Sequence, residues 1–485
     1  MNSRYNGLKR SIAGAVCAFI VMTSIVGCGT KTEEITSAST QSTAAGTTQP
    51  TEETPEEVTI KVAGYPAETD AAGRAIFDDW AKKTKEKYPY ITVVNDAYSY
   101  DVNTFFPKAA SGQLTNFYQS WFTEVNKIAT AGYAADLTET MAKYGYDKAL
   151  NPDLLKIVQK DGKYYALPDS GYAMSMWYNV NLYKQAGLVD EKGVPKFPKT
   201  YDELAEAAKI IKEKTGKPGF FFPAKNNQGG WQFMNIAWAF GAEFEKQVDG
   251  KWTAVFNSPE AVAALQYLKD LKFKYDVLQP NVLADIDEMF KLLGTDQVGT
   301  AFGSADWKDN PINNFKMSKD NQAMSAVPAG PKGAVALIGG TANFVSADST
   351  PEQIDAVFKY LEIRGYSPNL SDEAKQGFET IQKERNEKNN IAGIYGLRVW
   401  TEPNRVAFED SIYDKYRNVN LDFWKDYMDN GTKSVKPEEP INCQELYKLL
   451  DGVIQETLTK KDSDPKALLD KAVATFQKDY LDKVK

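Results

Sequence analysis

Apolar and polar positions along the chain follow two alternating periods. Val58 to Tyr65 (VTIKVAGY) alternates as a strand does, and Ala71 to Tyr88 places Ile76, Phe77, Trp80 and Ala81 on one helical face. Ile91 to Val94 reads as a second strand, Thr104 to Ser111 as a helix, and Asn116 to Trp121 as a third strand with a helix after it. Strands separated by helices of this size predict parallel βαβ units rather than a sandwich. The alternation resumes downstream. Tyr201 to Lys214 is a helix with Thr200 as its cap, Glu203 placed for a capping box, and Leu204, Ala207, Ala208 and Ile211 as its buried stripe. FFFPAKNNQGGWQFMNIAWAFG then reads as strand, polar loop and helix. Ser258 and Pro259 start a helix carrying Val262, Leu265, Leu268 and Leu271, and Met289 to Leu293 leads into the strand VGTAFG and the loop SADW. ALIGGTANFV is a further strand, and Pro351 to Ile363 a helix. From about residue 370 the chain is helical or looped. It ends in two amphipathic helices, one with Leu446, Leu449, Leu450, Val453, Ile454 and Leu458 on one face, the other with Leu468, Leu469, Ala472 and Phe476. The fold class is α/β.

Two stretches interrupt this pattern. In DGKYYALPDSGYAMSMWYNVNLYKQAGL, residues 161–188, a turn feeds a short strand from Tyr164 to Pro168. Pro168, Asp169, Ser170 and Gly171 then supply loop chemistry before a second extended run from Tyr172 to Val180. That arrangement predicts a hinge near Ser170. AVPAGPKG, residues 326–333, has the Pro and Gly punctuation of a return crossing near Gly330.

Composition narrows the class. Arg4, Lys9 and Arg10 precede an uncharged run, Ser11 to Gly27, that ends at Cys28. A small residue directly before a cysteine resembles a bacterial lipoprotein signal, with residues 1–27 removed and Cys28 lipidated; an uncleaved membrane helix is the alternative, and both put the body outside the cytoplasm. Residues 28–57 are rich in Ser and Thr with almost no large apolar side chain, which predicts a disordered tether. Loss of the three N-terminal positive charges takes the formal net charge from −8 to −11, which argues against nucleic acid as a partner. The three cysteines, Cys17, Cys28 and Cys443, leave one in the body, so no internal disulfide forms there. The chain has no histidine, which removes His-based triads and the common zinc sites. It has neither a GxGxxG nor a phosphate-binding P-loop motif, and no cofactor is expected.

The order Gly162-Lys163-x-Tyr165-Ala166-Leu167-Pro168, then Trp177-Tyr178-Asn179, then Leu182-Tyr183-x-x-Ala186-Gly187-Leu188, then Pro198 to Leu204, resembles the extracellular solute-binding proteins of family 1. These are the maltose-binding-protein-like receptors of ABC importers. The resemblance implies a two-lobed periplasmic-binding-protein-like (type II) fold with interlobe hinge strands, residues 58–169 and 334–385 forming the first lobe and 170–330 and 386–485 the second. It implies a monomer that binds a carbohydrate, here an oligosaccharide, between the lobes and delivers it to ABC permease subunits, held at the bacterial membrane through Cys28. No enzymatic activity is expected.

Sugar recognition needs aromatic faces for pyranose rings and amides or carboxylates for hydroxyls, on loops that face a cleft. Tyr65, Glu68, Trp121, Tyr172, Asn227, Trp231, Asp306 and Trp307 fit that description. Against the family, Tyr65 and Glu68 fall where the first strand delivers polar contacts, and Trp121 replaces a polar cleft residue. Tyr172 stands where the family carries a cleft carboxylate, Trp231 matches a cleft aromatic, and Trp307 matches a stacking tryptophan. Packing is the competing role for each tryptophan. Two rival functions remain at this point. A peptide or acidic sugar would require Arg74, Lys225, Arg398 or Arg405 in the cleft, and a secreted carbohydrate-active enzyme would require a carboxylate pair across a bound sugar.

Overall fold

The computed structural model describes residues 56–484. The signal segment, Cys28 and the tether up to residue 55 lie outside the described residues. The first βαβ reading holds: Val58–Val62 runs parallel to Ile91–Asn95 and to Phe117–Trp121, with helix Ala71–Lys87 as the first crossover. Ala336–Val345, Leu167–Ala173 and Val435–Pro437 complete a six-stranded sheet. Its core gathers Ile60, Val62, Phe117, Phe344, Val357 and Leu361. On Ala71–Lys87 the inward stripe is Phe77, Trp80, Ala81 and Thr84; Ile76 stands 50% exposed, because a helix lying on one sheet presents only a narrow face to it.

A second core surrounds a four-stranded sheet in the order Gln322–Ser325, Ser175–Asn179, Thr300–Gly303, Phe220–Phe221. Helices Tyr201–Thr215, Gln228–Phe240, Pro259–Phe273, Cys443–Thr459 and Pro465–Asp479 contribute to it. Thr200 caps its helix by accepting from Glu203 N, but the Glu203 carboxylate accepts from Lys199 N rather than from the cap residue, so the capping box is shifted by one residue.

The hinge differs from the expectation. The chain does not leave the sheet at Pro168: Leu167–Ala173 is one strand, and only Met174 separates it from Ser175–Asn179 in the other sheet. Pairing with Ala336–Val345 overrides the loop chemistry by means of a bulge. Thr341 pairs with Ser170 and Ala342 with Pro168, leaving Asp169 as the extra residue. Its carboxylate accepts from Thr341 Oγ1 and Asn343 Nδ2, at 3.3 and 2.9 Å. Gly171 fits because a Cβ there would press on Leu154 and Leu397. The return crossing is at Leu337, not Gly330, which packs on Ala239 within the second core. Met174 N donates to Leu337 O at 2.8 Å, so these two crossings lie side by side.

The stretch from about 370 to 418 touches both cores. Trp400 belongs to the first, Ile391 and Ile394 to the second, and Arg385 ion-pairs with Asp309. The short strand Val435–Pro437, absent from the sequence reading, adds to the edge of Ala336–Val345.

Candidate functional site

Beside these crossings, the elements of the two cores flank an open cavity of about 330 Å³. Trp121, Thr123, Ser170, Gly340 and Thr341 form one wall. The other is formed by Asn226, Asn227, Gln228, Trp231, Asp306, Gln444 and Tyr447, with Tyr172 and Glu438 beside the crossing. A smaller cavity of about 140 Å³ adjoins it through Trp121 and Thr341, and runs along Gly64, Tyr98, Tyr100, Gln119 and Ser120.

Local geometry explains how these side chains get there. Gly339 and Gly340 sit in the crossing strand where a side chain would collide with Tyr172 Oη and with Ser170 O, so the backbone itself floors the cavity. Asn226 and Asn227 hold φ of 64° and 68°, the left-handed region that asparagine tolerates better than most residues. This pair turns the chain from strand Phe220–Phe221 into helix Gln228–Phe240. Asp451, buried on helix Cys443–Thr459, fixes that helix start by accepting from Asn227 N at 2.6 Å and Gly230 N at 2.8 Å. The close approach needs Gly229 and Gly230, since a Cβ at either would strike Asp451 or the Tyr447 backbone. Gln444 holds Asn227 Nδ2 through both its backbone and side-chain oxygens at 3.2 Å, and Tyr447 Oη donates to Glu438 Oε1 at 2.9 Å.

The aromatic rings form two ladders. Tyr172 meets Trp231 edge-on at 5.9 Å, Trp231 meets Trp307 at 5.7 Å, and Trp307 meets Phe290 at 5.7 Å inside the second core. On the opposite wall Trp121 meets Tyr100 at 5.2 Å, and Tyr100 meets Phe105 at 5.5 Å. Each wall therefore presents a ring backed by a packed column, which keeps its face oriented.

Two carboxyls face the larger cavity. Burial pushes Glu438 up to about 8, with the nearby Glu124 charge adding to the shift and the Tyr447 hydrogen bond opposing it. Asp306 is reached by water through the cavity yet is ringed by protein, and this desolvation pushes it up to about 6. Among the described residues lining the two cavities there is no lysine or arginine. The four bases considered as anion partners are engaged elsewhere. Arg74 donates to Pro66 O, Lys225 pairs with Asp285, Arg398 pairs with Glu409 and Asp410, and Arg405 pairs with Glu409.

Of the expected site residues, Trp121, Tyr172, Asn227, Trp231 and Asp306 line the larger cavity together. Trp307 lies one layer back, wedged between Trp231 and Phe290 in tilted and edge-on contacts. Tyr65 and Glu68 line neither cavity. Tyr65 lies under Arg74 with its hydroxyl donating to Asp78, because the loop after Val58–Val62 folds back on helix Ala71–Lys87; Glu68 is exposed on that loop. Sequence reasoning missed Glu438, Gln444 and Tyr447. Glu438 sits in the proline-bracketed PEEP, a loop signal within an otherwise helical region, while Gln444, Tyr447 and Asp451 are spaced i, i+3, i+7 on a helix assigned wholly to packing.

A family model described as bacterial extracellular solute-binding protein matches residues 63–362. A binding protein of Brucella abortus (strain 2308) is 25% identical over 348 residues, spanning 66% of this chain and 78% of that one. An arabinooligosaccharide-binding protein of Halalkalibacterium halodurans is 24% identical over 199 residues, spanning 40% and 42% of the two chains. The maltose-bound structure of T. maritima MalE3 superposes with a TM-score of 0.62 at 18% identity, covering 87% of this chain and 99% of that one. This last likeness shows the two-lobed fold.

Proposed function

The chain belongs to the bacterial extracellular solute-binding protein family, and from that premise we propose that it captures a saccharide in the cavity between its two cores and hands it to an ABC permease. The observation that carries this reading is the cavity of about 330 Å³, whose walls come from both cores and offer aromatic faces with amide, hydroxyl and carboxyl groups. Trp121 and Trp231 suit the apolar faces of sugar rings, and Asn226, Asn227, Gln444, Asp306 and Thr341 suit hydroxyls. An oligosaccharide is the fitting length class, since the smaller cavity continues the larger one past Trp121. The related arabinooligosaccharide-binding protein and the maltose-bound MalE3 support the same ligand class.

A ligand touching both walls binds the closed arrangement more tightly than an open one, and that differential affinity shifts the equilibrium about Met174 and Leu337. The permease reads the closed form. With the crossings at Met174 and Leu337, the lobes are taken as 58–173 with 338–385 and 175–336 with 386–485. The body functions outside the cytoplasm as a monomer, tethered by residues 28–57 to a lipid on Cys28 after removal of residues 1–27. Nothing in this scheme requires bond cleavage.

Thermal-shift and calorimetric screening of the soluble body against mono- and oligosaccharides tests the reading. A cognate sugar at 100 times its dissociation constant stabilises the fold by about 2.7 kcal/mol. Time-dependent product on chromatography would replace it with an enzyme, and a screen in which only peptides or anions bind would end the saccharide reading.

A further inference from the structure

The larger cavity is chemically one-sided. Its walls carry two carboxyls, Asp306 and Glu438, and its described lining contains no base. Lys308, the nearest base on the Asp306 turn, is buried with its Nζ donating to Ala305 O. The start of helix Gln228–Phe240 would ordinarily favour an anion in the adjacent space. Here that position is taken: the Asp451 carboxylate already accepts from Asn227 N and Gly230 N. An incoming phosphate, sulfate or uronate would meet the Asp306 carboxylate, no base in the described lining, and a helix end already neutralised. An ammonium would meet a carboxyl, Asp306 or Glu438, in a lining that also carries the aromatic rings of Tyr172 and Trp231, which attract cations.

We propose that this cavity selects saccharides bearing a protonated amine, with Glu438 and Asp306 as the partners of the ammonium, and that it rejects anionic ones. The inference rests on the saccharide reading above and names the substrate class within it. The groups facing Glu438 are Tyr447 and Cys443 from helix Cys443–Thr459, Tyr172 from the crossing strand and Glu124 from the first-core side; those facing Asp306 are Tyr172, Tyr427 and Lys308. In this surrounding Glu438 holds its proton near neutrality. An arriving ammonium favours the ionised form, so binding expels a proton to solvent and the ligand keeps its own. Affinity for the amine form therefore rises with pH toward 8, as long as the ligand amine stays charged.

Matched triplets of glucose- and galactose-based mono- and disaccharides test this, each with a free amine, an N-acetyl group or a hydroxyl at the same carbon. Calorimetry at pH 7 in two buffers of different ionisation enthalpy reads affinity and proton release together. The amine form is expected to bind about tenfold tighter than its N-acetyl and hydroxyl partners and to release protons. Glu438→Gln and Asp306→Asn should each shrink that ratio. Equal or weaker binding of the amine forms, or a ratio unchanged in both variants, overturns the inference while leaving saccharide binding intact. Failure of every member to bind overturns the saccharide reading itself.

Discussion

The two walls of the crevice satisfy their polar groups in opposite ways. On the second-core side, Asn227 is held by Asp451 and Gln444, Asn226 donates to Asp285, and Tyr447 donates to Glu438. On the first-core side, the hydroxyls of Tyr98, Tyr100 and Ser120 are buried without a hydrogen bond of good geometry, although Tyr98 Oη lies close to Thr104 and the Asp101 backbone, and Tyr100 Oη close to Ser120 and Glu124. A buried donor left unmade costs about 1–3 kcal/mol. One wall is thus preorganised by its own chain, and the other keeps an unmet demand that a ligand hydroxyl can relieve. Preorganisation lowers the cost of binding. Unmet demand makes binding discriminate, since only a ligand bearing hydroxyls repays it.

The sharpest way to break this contrast is to dismantle the preorganised wall. Asp451→Ala strands the buried donors at the start of helix Gln228–Phe240 and should cost about 3 kcal/mol of folding stability by chemical denaturation, with ligand binding lost alongside. A stability loss below about 1 kcal/mol would mean that water serves the helix end equally well.

Next in size is a dependence on pH. Burial raises Glu245 to about 9 and Glu438 to about 8, so the folded state holds protons that the unfolded chain releases near pH 4.5. Their stabilisation is complete below the unfolded value and is lost as pH rises through the folded one. The unliganded melting temperature should therefore fall between pH 5 and 8, and Glu438→Gln should flatten that slope. A slope identical in the variant would assign the effect to other carboxyls.

Trp121 sharpens the comparison from the other side. It is 39% exposed and lines both cavities, so Trp121→Ala should weaken saccharide binding by about 1–2 kcal/mol in calorimetry and change the unliganded melting temperature little. Smallest is Tyr100→Phe, which deletes one of the unpaired hydroxyls. Unliganded stability should hold or rise by about 0.5 kcal/mol, while affinity falls; a loss of stability instead would show that the hydroxyl is already satisfied.

Some of the site was legible in advance. Trp121, Tyr172, Asn227, Trp231 and Asp306 line the candidate cavity together, and each lies in or beside a stretch where clear periodicity gives way to loop chemistry, the local signal that singled them out. Trp307 shares the same local signal yet sits one layer behind Trp231, since loop position does not say which of two neighbouring tryptophans lies in front. Tyr65 and Glu68 failed because their loop folds back against helix Ala71–Lys87, a contact between segments that no local pattern records. Glu438, Gln444 and Tyr447 arrive from the far C-terminal part of the chain, brought in by the edge strand Val435–Pro437 and the packing of helix Cys443–Thr459 on Gln228–Phe240.

By itself the sequence determined the alternation of strands and helices and the absence of histidine chemistry, because periodicity and composition are local properties; the two halves came from the family resemblance. The tertiary structure decided where the chain crosses between the halves. Pro168 to Gly171 prefers a loop in isolation, but hydrogen bonds to Ala336–Val345, with Asp169 bulged outward, keep it in the sheet and move the crossing to Met174. It also decided the cavity's charge, since Arg74, Lys225, Arg398 and Arg405, the bases expected to face an anionic ligand, each found a carboxylate or carbonyl in another direction. Pairing between residues far apart in sequence is the physical source of both outcomes.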